Sequence, residues 1–282
     1  MMKHIPVLLD AVMRALGDLR GRVVVDATFG AGGYSRAFLT AGARVIAFDR
    51  DPNVVADAQK MMDEFDGRFE FVPRPFSHIA DLTDTYDAIV FDLGISSMQI
   101  DVPSRGFSFR GDGPLDMRMS ANGVSAAMLI EQSDAATLAR ILRDYGDVRR
   151  PGALANAIKR ALPKTTFELK NLIHNPNDIA PVFQALRIAV NDEMGELTRA
   201  LAAVPGRLKV GGRCICVTFH STEDRTVKNT FREWTTAPGD PRMPSVGVAQ
   251  FAPMRTATPT DDEIAANPRA RSAHMRGVIK SY

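Results

Sequence analysis

The sequence predicts an α/β protein built on a mostly parallel sheet and interrupted by a small all-α insert. Three apolar runs each stop on an aspartate: Val23-Val24-Val25-Asp26, Val45-Ile46-Ala47-Phe48-Asp49 and Ala88-Ile89-Val90-Phe91-Asp92. They are apolar at consecutive positions, as strands covered on both faces are. Strand-like and helix-like segments alternate over residues 22–100, the pattern of right-handed parallel crossovers. The first run continues directly into a glycine turn, Phe29-Gly30-Ala31-Gly32-Gly33.

In order, residues 5–16 have helical spacing and lead into a strand at 22–26. A helix from about 33 to 41, a strand at 44–49, a helix at 53–64 and a strand at 69–72 follow, then a helix near 76–82 and a strand at 87–92. After Gln99 the composition changes. Residues 101–123, rich in Gly, Arg, Asp and Pro, predict a long loop, and loops of that length inside compact domains are mostly functional or disordered. Residues 124–174 show helical pieces without strand signal. Ser133 can cap one that ends at Tyr145-Gly146, a second runs from Ala153 to Leu162 and stops at Pro163, and a third is expected at 166–173. Helical spacing returns over 178–203, with Pro181 acceptable in a first turn. Residues 208–213 predict a turn and 213–219 a strand; 235–268, rich in Pro and Thr, predicts weak order; 273–280 predicts a last strand. The expected division is a core at 1–103, an insert at 104–176 and the rest of the core at 177–282.

The bulk numbers are those of a soluble globular chain: 282 residues, 45% hydrophobic, 24% charged, net charge +2. Global charge therefore does not announce a nucleic-acid binder. No apolar stretch approaches the ~18–20 residues a membrane span needs, and the first residues, Met1 to Pro6, lack a signal-peptide pattern. A cytoplasmic protein without membrane contact is expected. The two cysteines, Cys214 and Cys216, share one strand face. They are poorly placed to bridge each other and read as small buried apolar side chains. No further soft ligand lies near them, so no metal is expected.

The glycines let the backbone turn sharply and approach a ligand. Gly30 and Gly32 fit the first two positions of a dinucleotide fingerprint, but the third is Ser35. Asp49, at the end of the second strand, suits both hydroxyls of a ribose, in NAD or in S-adenosylmethionine. Asp26 and Asp92 discriminate between these. An acid just before the glycine turn repels a pyrophosphate but suits a ligand carrying an ammonium and a sulfonium. Charge matching favours S-adenosylmethionine.

Several strings then occur in one order along nearly the whole chain. They are His4-Ile-Pro-Val-Leu-Leu9, Asp26-Ala-Thr-Phe-Gly-Ala-Gly-Gly-Tyr-Ser35, Asp49-Arg-Asp-Pro52 and Phe91-Asp-Leu-Gly-Ile-Ser-Ser97 with Gln99. Arg105-Gly-Phe-Ser-Phe109, Gly113-Pro-Leu-Asp-Met-Arg-Met119, Phe183-Gln-Ala-Leu-Arg-Ile188, Val217-Thr-Phe-His-Ser-Thr-Glu-Asp-Arg225 and Asn267-Pro-Arg-Ala-Arg-Ser-Ala273 complete the set. In these strings the chain resembles the MraW family of bacterial methyltransferases. The resemblance implies a Rossmann-like class I fold that takes S-adenosylmethionine. The implied substrate is the N4 amine of a cytidine in small-subunit (16S) ribosomal RNA near the decoding centre, as naked RNA or assembled subunit. It also implies cofactor contacts at Gly32, Gly33, Tyr34, Asp49, Phe76, Asp92 and Gln99. Position 34 is commonly His in that family and is Tyr here; both are planar with a polar tip, so the site is expected to survive the change.

Cytosine's amine is a poor nucleophile, so acceptors beside its N–H groups would stabilise the charge that develops. Asp92, or the carbonyls that follow it, is the candidate, with Phe107 or Phe109 to stack the base. His220 is the second catalytic candidate, to orient the base or accept a proton; a structural histidine is the alternative. Glu223-Asp224-Arg225 reads as a helix start with a local ion pair. Asp116 and Arg118 read either as ligand contacts or as a salt bridge bracing the loop. Arg105, Arg110, Arg118, Arg149, Arg150, Arg269, Arg271 and Arg276 suit phosphates, and the insert is the expected RNA-recognition part. The oligomer, monomer or homodimer, is left open. Two rival readings are an NAD-dependent oxidoreductase and a non-catalytic RNA-binding protein with a residual nucleotide pocket.

Overall fold

A computed structural model describes residues 6–120, 122–237 and 248–282. His4 and Ile5 lie outside the described residues. In chain order the elements are α1 (Leu9–Leu16), β1 (Val23–Asp26), α2 (Gly33–Thr40), β2 (Arg44–Phe48), α3 (Val55–Glu64), β3 (Phe69–Val72) and β4 (Tyr86–Asp92). Five helices follow before the long α9: α4 (Ser97–Ile100), α5 (Ala126–Gln132), α6 (Ala135–Gly146), α7 (Pro151–Ala161) and α8 (Thr166–Asn171). The chain ends with α9 (Ile179–Asn191), α10 (Glu193–Arg207), β5 (Leu208–Thr218), α11 (Ser221–Thr235), β6 (Phe251–Pro253), α12 (Asp261–Ala266) and β7 (His274–Lys280).

Two compact units result: Met1–Gly94 with Glu196–Tyr282, and Ile95–Gly195. The helical unit is wider than the 104–176 expected from sequence. Val182, Phe183, Ala185 and Leu186 of α9 are buried in its core, and Ile95 packs against that core.

The first unit is a seven-stranded sheet in the order β3-β2-β1-β4-β5-β7-β6. The first five of these strands run parallel, with Val25 level with Ile46 on one side and Ile89 on the other. The interiors of β1, β2 and β4 are sealed on both faces, which is why these three read as unbroken apolar runs, whereas the edge strand β3 exposes Glu70. β7 is antiparallel to both β5 and β6. This reversed strand has no counterpart in the dinucleotide-binding order 3-2-1-4-5-6. The strand order reverses direction between β1 and β4, and ligands bind outside the carboxyl ends of strands at such a switch point.

The helical unit encloses its own apolar cluster, with Leu138, Leu142, Ile158, Val182 and Leu186 fully buried. The loop over 101–123 is not loose: Phe107, Leu115, Met117 and Met119 enter this core. Residue 121 lies outside the described residues.

Several expectations are corrected. The helix capped near 133 takes Asp134 as its cap, which accepts from Thr137 N–H at 2.7 Å, while Ser133 closes α5. The segment near 76–82 is a 3-10 helix at Phe76–Asp81. The run 178–203 is two helices, because Asp192 takes a left-handed conformation (φ 48°) that ends α9. The turn at 208–213 is absorbed into β5 as an irregularity, where pairing jumps from Leu208 opposite Tyr86 to Arg213 opposite Ala88. Within the stretch expected to be weakly ordered, β6 and α12 form, while 238–247 lie outside the described residues. Cys214 and Cys216 are free and buried.

Candidate active site

The carboxyl ends of β1, β2 and β4 carry the three aspartates, and each is used differently. Asp26 is completely buried. Its oxygens accept from Ser35 Oγ at 2.6 Å and Thr28 N–H at 3.1 Å. It thus ties the start of α2 to the end of β1 and shapes the turn between them. Burial raises its pKa to about 6, against those hydrogen bonds and with a contribution from Asp49.

Asp49 is half-buried and accepts from Gly30 N–H at 2.8 Å on one oxygen and Asp51 N–H at 2.8 Å on the other. The Arg50 N–H also bears on this carboxylate, and the acceptor capacity that these amides leave can still take a hydroxyl. Burial raises its pKa as well, partly offset by those amides.

Asp92 differs from both. Its N–H donates to Thr28 Oγ1 at 2.7 Å, while its own Oδ1 is buried with no hydrogen-bond donor among the described residues. Burial, then Asp26, then Glu223 push its pKa well above the ordinary carboxylate range. A buried acceptor left bare costs about 1–3 kcal/mol or more for a charged group, a cost that a cationic ligand removes.

The glycine turn is constrained twice over. Gly32 has φ 77°, a conformation side chains avoid, and a Cβ there would lie 2.7 Å from Met61 Cε. At Gly33 a Cβ would lie 2.4 Å from Pro6 Cγ. The glycines are therefore needed by the protein's own packing as well as by any ligand. Tyr34 is 3% exposed and its hydroxyl donates to the Val7 carbonyl. Its ring is committed to the interior, and only its backbone, in the first turn of α2, is free to serve a ligand. Phe76 stands edge-on to Phe91, with ring centroids 5.7 Å apart. In the helical unit, Gln99 is 6% exposed and its carbonyl oxygen accepts from Ser96 N–H at 3.1 Å.

His220 is the N-cap of α11. Its Nδ1 accepts from Glu223 N–H at 3.4 Å, while Glu223 reaches back to Phe219 N–H (2.9 Å) and His220 N–H (3.4 Å), a capping box. Nε2 lies 3.0 Å from Glu223 Oε1, close enough for charge pairing but not aligned for a hydrogen bond. Both ring nitrogens thus turn toward Glu223. The expected helix start at 223–225 is present, but the ion pair differs: Asp224 binds Arg276 through bonds of 2.7 and 2.8 Å. Asp116 and Arg118 form a salt bridge at 2.7 Å inside the loop.

Phe107 is 7% exposed in the core of the helical unit and is not available to stack a base. Phe109 is half-buried with its ring against Phe183 at 5.4 Å. Arg105 is spent on the carbonyls of Arg118 and Met119 at 3.0 and 3.1 Å. Arg110, Arg149, Arg150, Arg269 and Arg271 are exposed.

Thr28 was not singled out from sequence, and Glu223 was read as part of a helix start but not as the partner of His220. A hydroxyl placed just after a strand-ending acid was the available signal for Thr28, and a Glu three residues beyond His220 was the signal for the capping box.

Comparison with known proteins places the chain in a family context. The family model described as the MraW methylase family matches residues 1–281. A protein from Rhizobium leguminosarum bv. trifolii (strain WSM2304) called ribosomal RNA small subunit methyltransferase H is 45% identical, over 99% of this chain and 88% of its own length. A protein of the same name from Sinorhizobium fredii (strain NBRC 101917 / NGR234) is 46% identical, with the same coverage. Among solved structures, an rRNA methylase from Streptococcus thermophilus is 14% identical with a TM-score of 0.45, over 100% of this chain and 99% of that one.

Proposed function

The chain belongs to the MraW methylase family, and from that premise we propose that it methylates small-subunit ribosomal RNA, at the N4 amine of a cytidine, in the cytoplasm. The observation that carries the activity is the family match along residues 1–281. No helix among the described residues is long and apolar enough to cross a membrane.

The residues at the strand ends fit S-adenosylmethionine. The bare, buried Oδ1 of Asp92 calls for a donor or a positive charge, and Asp49 keeps acceptor capacity for a ribose. When bound, this cofactor supplies an electrophilic methyl group on a sulfonium. We assign Gly32, Gly33 and the backbone of Tyr34 to its methionine part, Asp49 to its ribose, Phe76 to the adenine face and Gln99 to a polar contact. Asp92 has two tasks. It lowers the energy of positive charge in the crevice, and it accepts from the amine N–H as charge develops there. Nearby positive charge favours its ionised form, opposing the shift that burial imposes. His220, the second catalytic candidate, can take a proton only by giving up its cap contact with Glu223. The helical unit, with Arg110, Arg149 and Arg150 exposed, is assigned to RNA contact.

The test is transfer of labelled methyl from S-adenosylmethionine to small ribosomal subunits and to naked 16S RNA, followed by mapping of the modified base. A labelled N4-methylcytidine is expected. No labelling of either substrate overturns the reading, and label on another base overturns the cytidine assignment.

A further inference from the structure

Thr28 is joined to Asp92 where the sheet's own ladder would have used backbone. In a parallel pair, one residue's N–H and C=O go to the two residues flanking its partner. Ala27 N–H donates to the Val90 carbonyl at 2.8 Å, so the next rung would be Asp92 N–H to the Ala27 carbonyl. Instead that N–H donates to Thr28 Oγ1 at 2.7 Å. The chain has already left β4, because Phe29 N–H donates to Phe48 O at the end of β2 at 2.8 Å. Asp26 Oδ1 holds Thr28 N–H at 3.1 Å and so fixes the threonine in place. One hydroxyl therefore spans the gap that opens between β1 and β4, at the switch point. On the other side, Leu93 N–H is held by the Val217 carbonyl of β5 at 2.9 Å. Asp92 sits between two anchors, and only the Thr28 anchor is a side chain.

We propose that Thr28 is a positioning residue for methyl transfer: its hydroxyl fixes the main chain of Asp92, and with it the carboxylate that accepts from the reacting amine. This rests on the methyltransferase reading above. Threonine suits the task because its β-branch restricts χ1 and keeps the hydroxyl aimed. The role is exerted on the chemical step. The Asp92 backbone loses its reference point when the hydroxyl is gone, and small misplacements of a reacting group cost rate far more than binding.

The test compares Thr28→Val, which keeps the shape and removes the hydroxyl, with Thr28→Ser, which keeps the hydroxyl. Steady-state methylation of small subunits is measured with S-adenosylmethionine varied. Thr28→Val is expected to lower kcat about 10- to 100-fold with KM for S-adenosylmethionine changed by no more than about threefold, and Thr28→Ser is expected to restore kcat to within about threefold of wild type. Wild-type kcat in Thr28→Val overturns the proposal. So does a loss carried by KM, or a serine variant as impaired as the valine one. Amide hydrogen exchange in the wild-type protein tests the same bond without any variant, which covers the case that Thr28→Val does not fold. A protected Asp92 N–H is expected, and exchange at the solvent rate overturns the proposal. A wild-type protein that methylates no RNA speaks against the activity itself. An active wild type with an equally active Thr28→Val speaks against this inference alone.

Discussion

Asp92 and Asn191 each hold a polar side-chain atom out of water, in different units, and they are treated in opposite ways. In the helical unit, Asn191 is 4% exposed. Its Oδ1 accepts from Met119 N–H at 2.8 Å, and its Nδ2 donates to the carbonyls of Met117 and Arg187 at 2.8 and 2.9 Å. It staples the long loop to α9 and is consumed in doing so. In the sheet unit, Asp92 keeps a bare buried oxygen beside two further buried acids. One site spends its polarity on the fold. The other holds it in reserve at a cost to the fold. That difference marks where a ligand is awaited more clearly than burial or residue type does.

Exchanging each residue breaks the comparison most severely. Asp92→Asn is expected to lower kcat at least about 100-fold, in the range seen for a lost proton acceptor, while thermal stability holds or rises because a disfavoured buried charge is gone. Asn191→Ala is expected to do the reverse. It leaves a buried N–H and a buried carbonyl unmatched, for a loss of about 2–4 kcal/mol of stability, and activity changes only through the folded fraction. Denaturant melts alongside initial rates separate the two. An Asp92→Asn protein that methylates at the wild-type rate, or an Asn191→Ala protein as stable as wild type, removes the distinction.

The same contrast can be drawn with glycines. Gly33→Ala places a Cβ 2.4 Å from Pro6 Cγ, so the chain must shift next to the proposed cofactor turn. A stability loss of about 1–3 kcal/mol is expected, together with weaker binding of S-adenosylmethionine. Gly152, in the first turn of α7, meets nothing within 4 Å. Gly152→Ala is expected to stabilise by about 0.5–1 kcal/mol and to leave cofactor affinity alone. Calorimetric melts and titrations of both variants decide it.

Much of this was legible in the sequence, and what was not has physical causes. The three strand-ending acids and the glycine turn were readable because buried parallel strands leave a strong local signal. The rest depended on contacts between residues far apart in the chain. Pro6 against Gly33, the Val7 carbonyl that takes the Tyr34 hydroxyl, and the Thr28 bond to Asp92, 64 residues on, leave no local pattern. Phe107 and Phe109 were read as stacking rings because arginines flank them, yet that loop is folded into the helical core. Helix ends failed at single residues, as with Ser133 in place of Asp134, because adjacent cap-forming residues compete and only geometry selects one. The break at Asp192 was hidden because the apolar period continues through it.

Charge on the helical unit sharpens the comparison from the other side. Arg149 and Arg150 are exposed, and their proposed partners are phosphates. Replacing both by Ala is expected to weaken RNA binding about tenfold at physiological salt and to flatten the plot of log affinity against log salt by roughly one for each phosphate no longer neutralised. Binding of S-adenosylmethionine and kcat at saturating RNA are expected to stay as in wild type. Filter binding at several salt concentrations measures this, and an unchanged slope removes these arginines from the interface.

The smallest effect expected is a pH dependence confined to the sheet unit. Asp26 titrates in the folded protein at about 6 because it is buried. The ionised form attracts a cationic cofactor and the protonated form does not, so affinity is held above that value and lost as pH falls through it. If the protonated form does not bind, affinity for S-adenosylmethionine is about fourfold weaker at pH 5.5 than at its plateau. Asp92, also shifted upward, adds to the loss with the same sign. By reciprocity the cofactor lowers both pKa values, so binding near pH 6 releases protons, seen as a calorimetric heat that varies with the buffer's ionisation enthalpy. S-adenosylhomocysteine lacks the sulfonium charge and is expected to show a shallower dependence. RNA binding through Arg149 and Arg150 does not pass through the crevice acids, so its affinity is expected to stay flat where cofactor affinity bends. If both bend together, or neither does, the crevice acids are not what selects the charged donor.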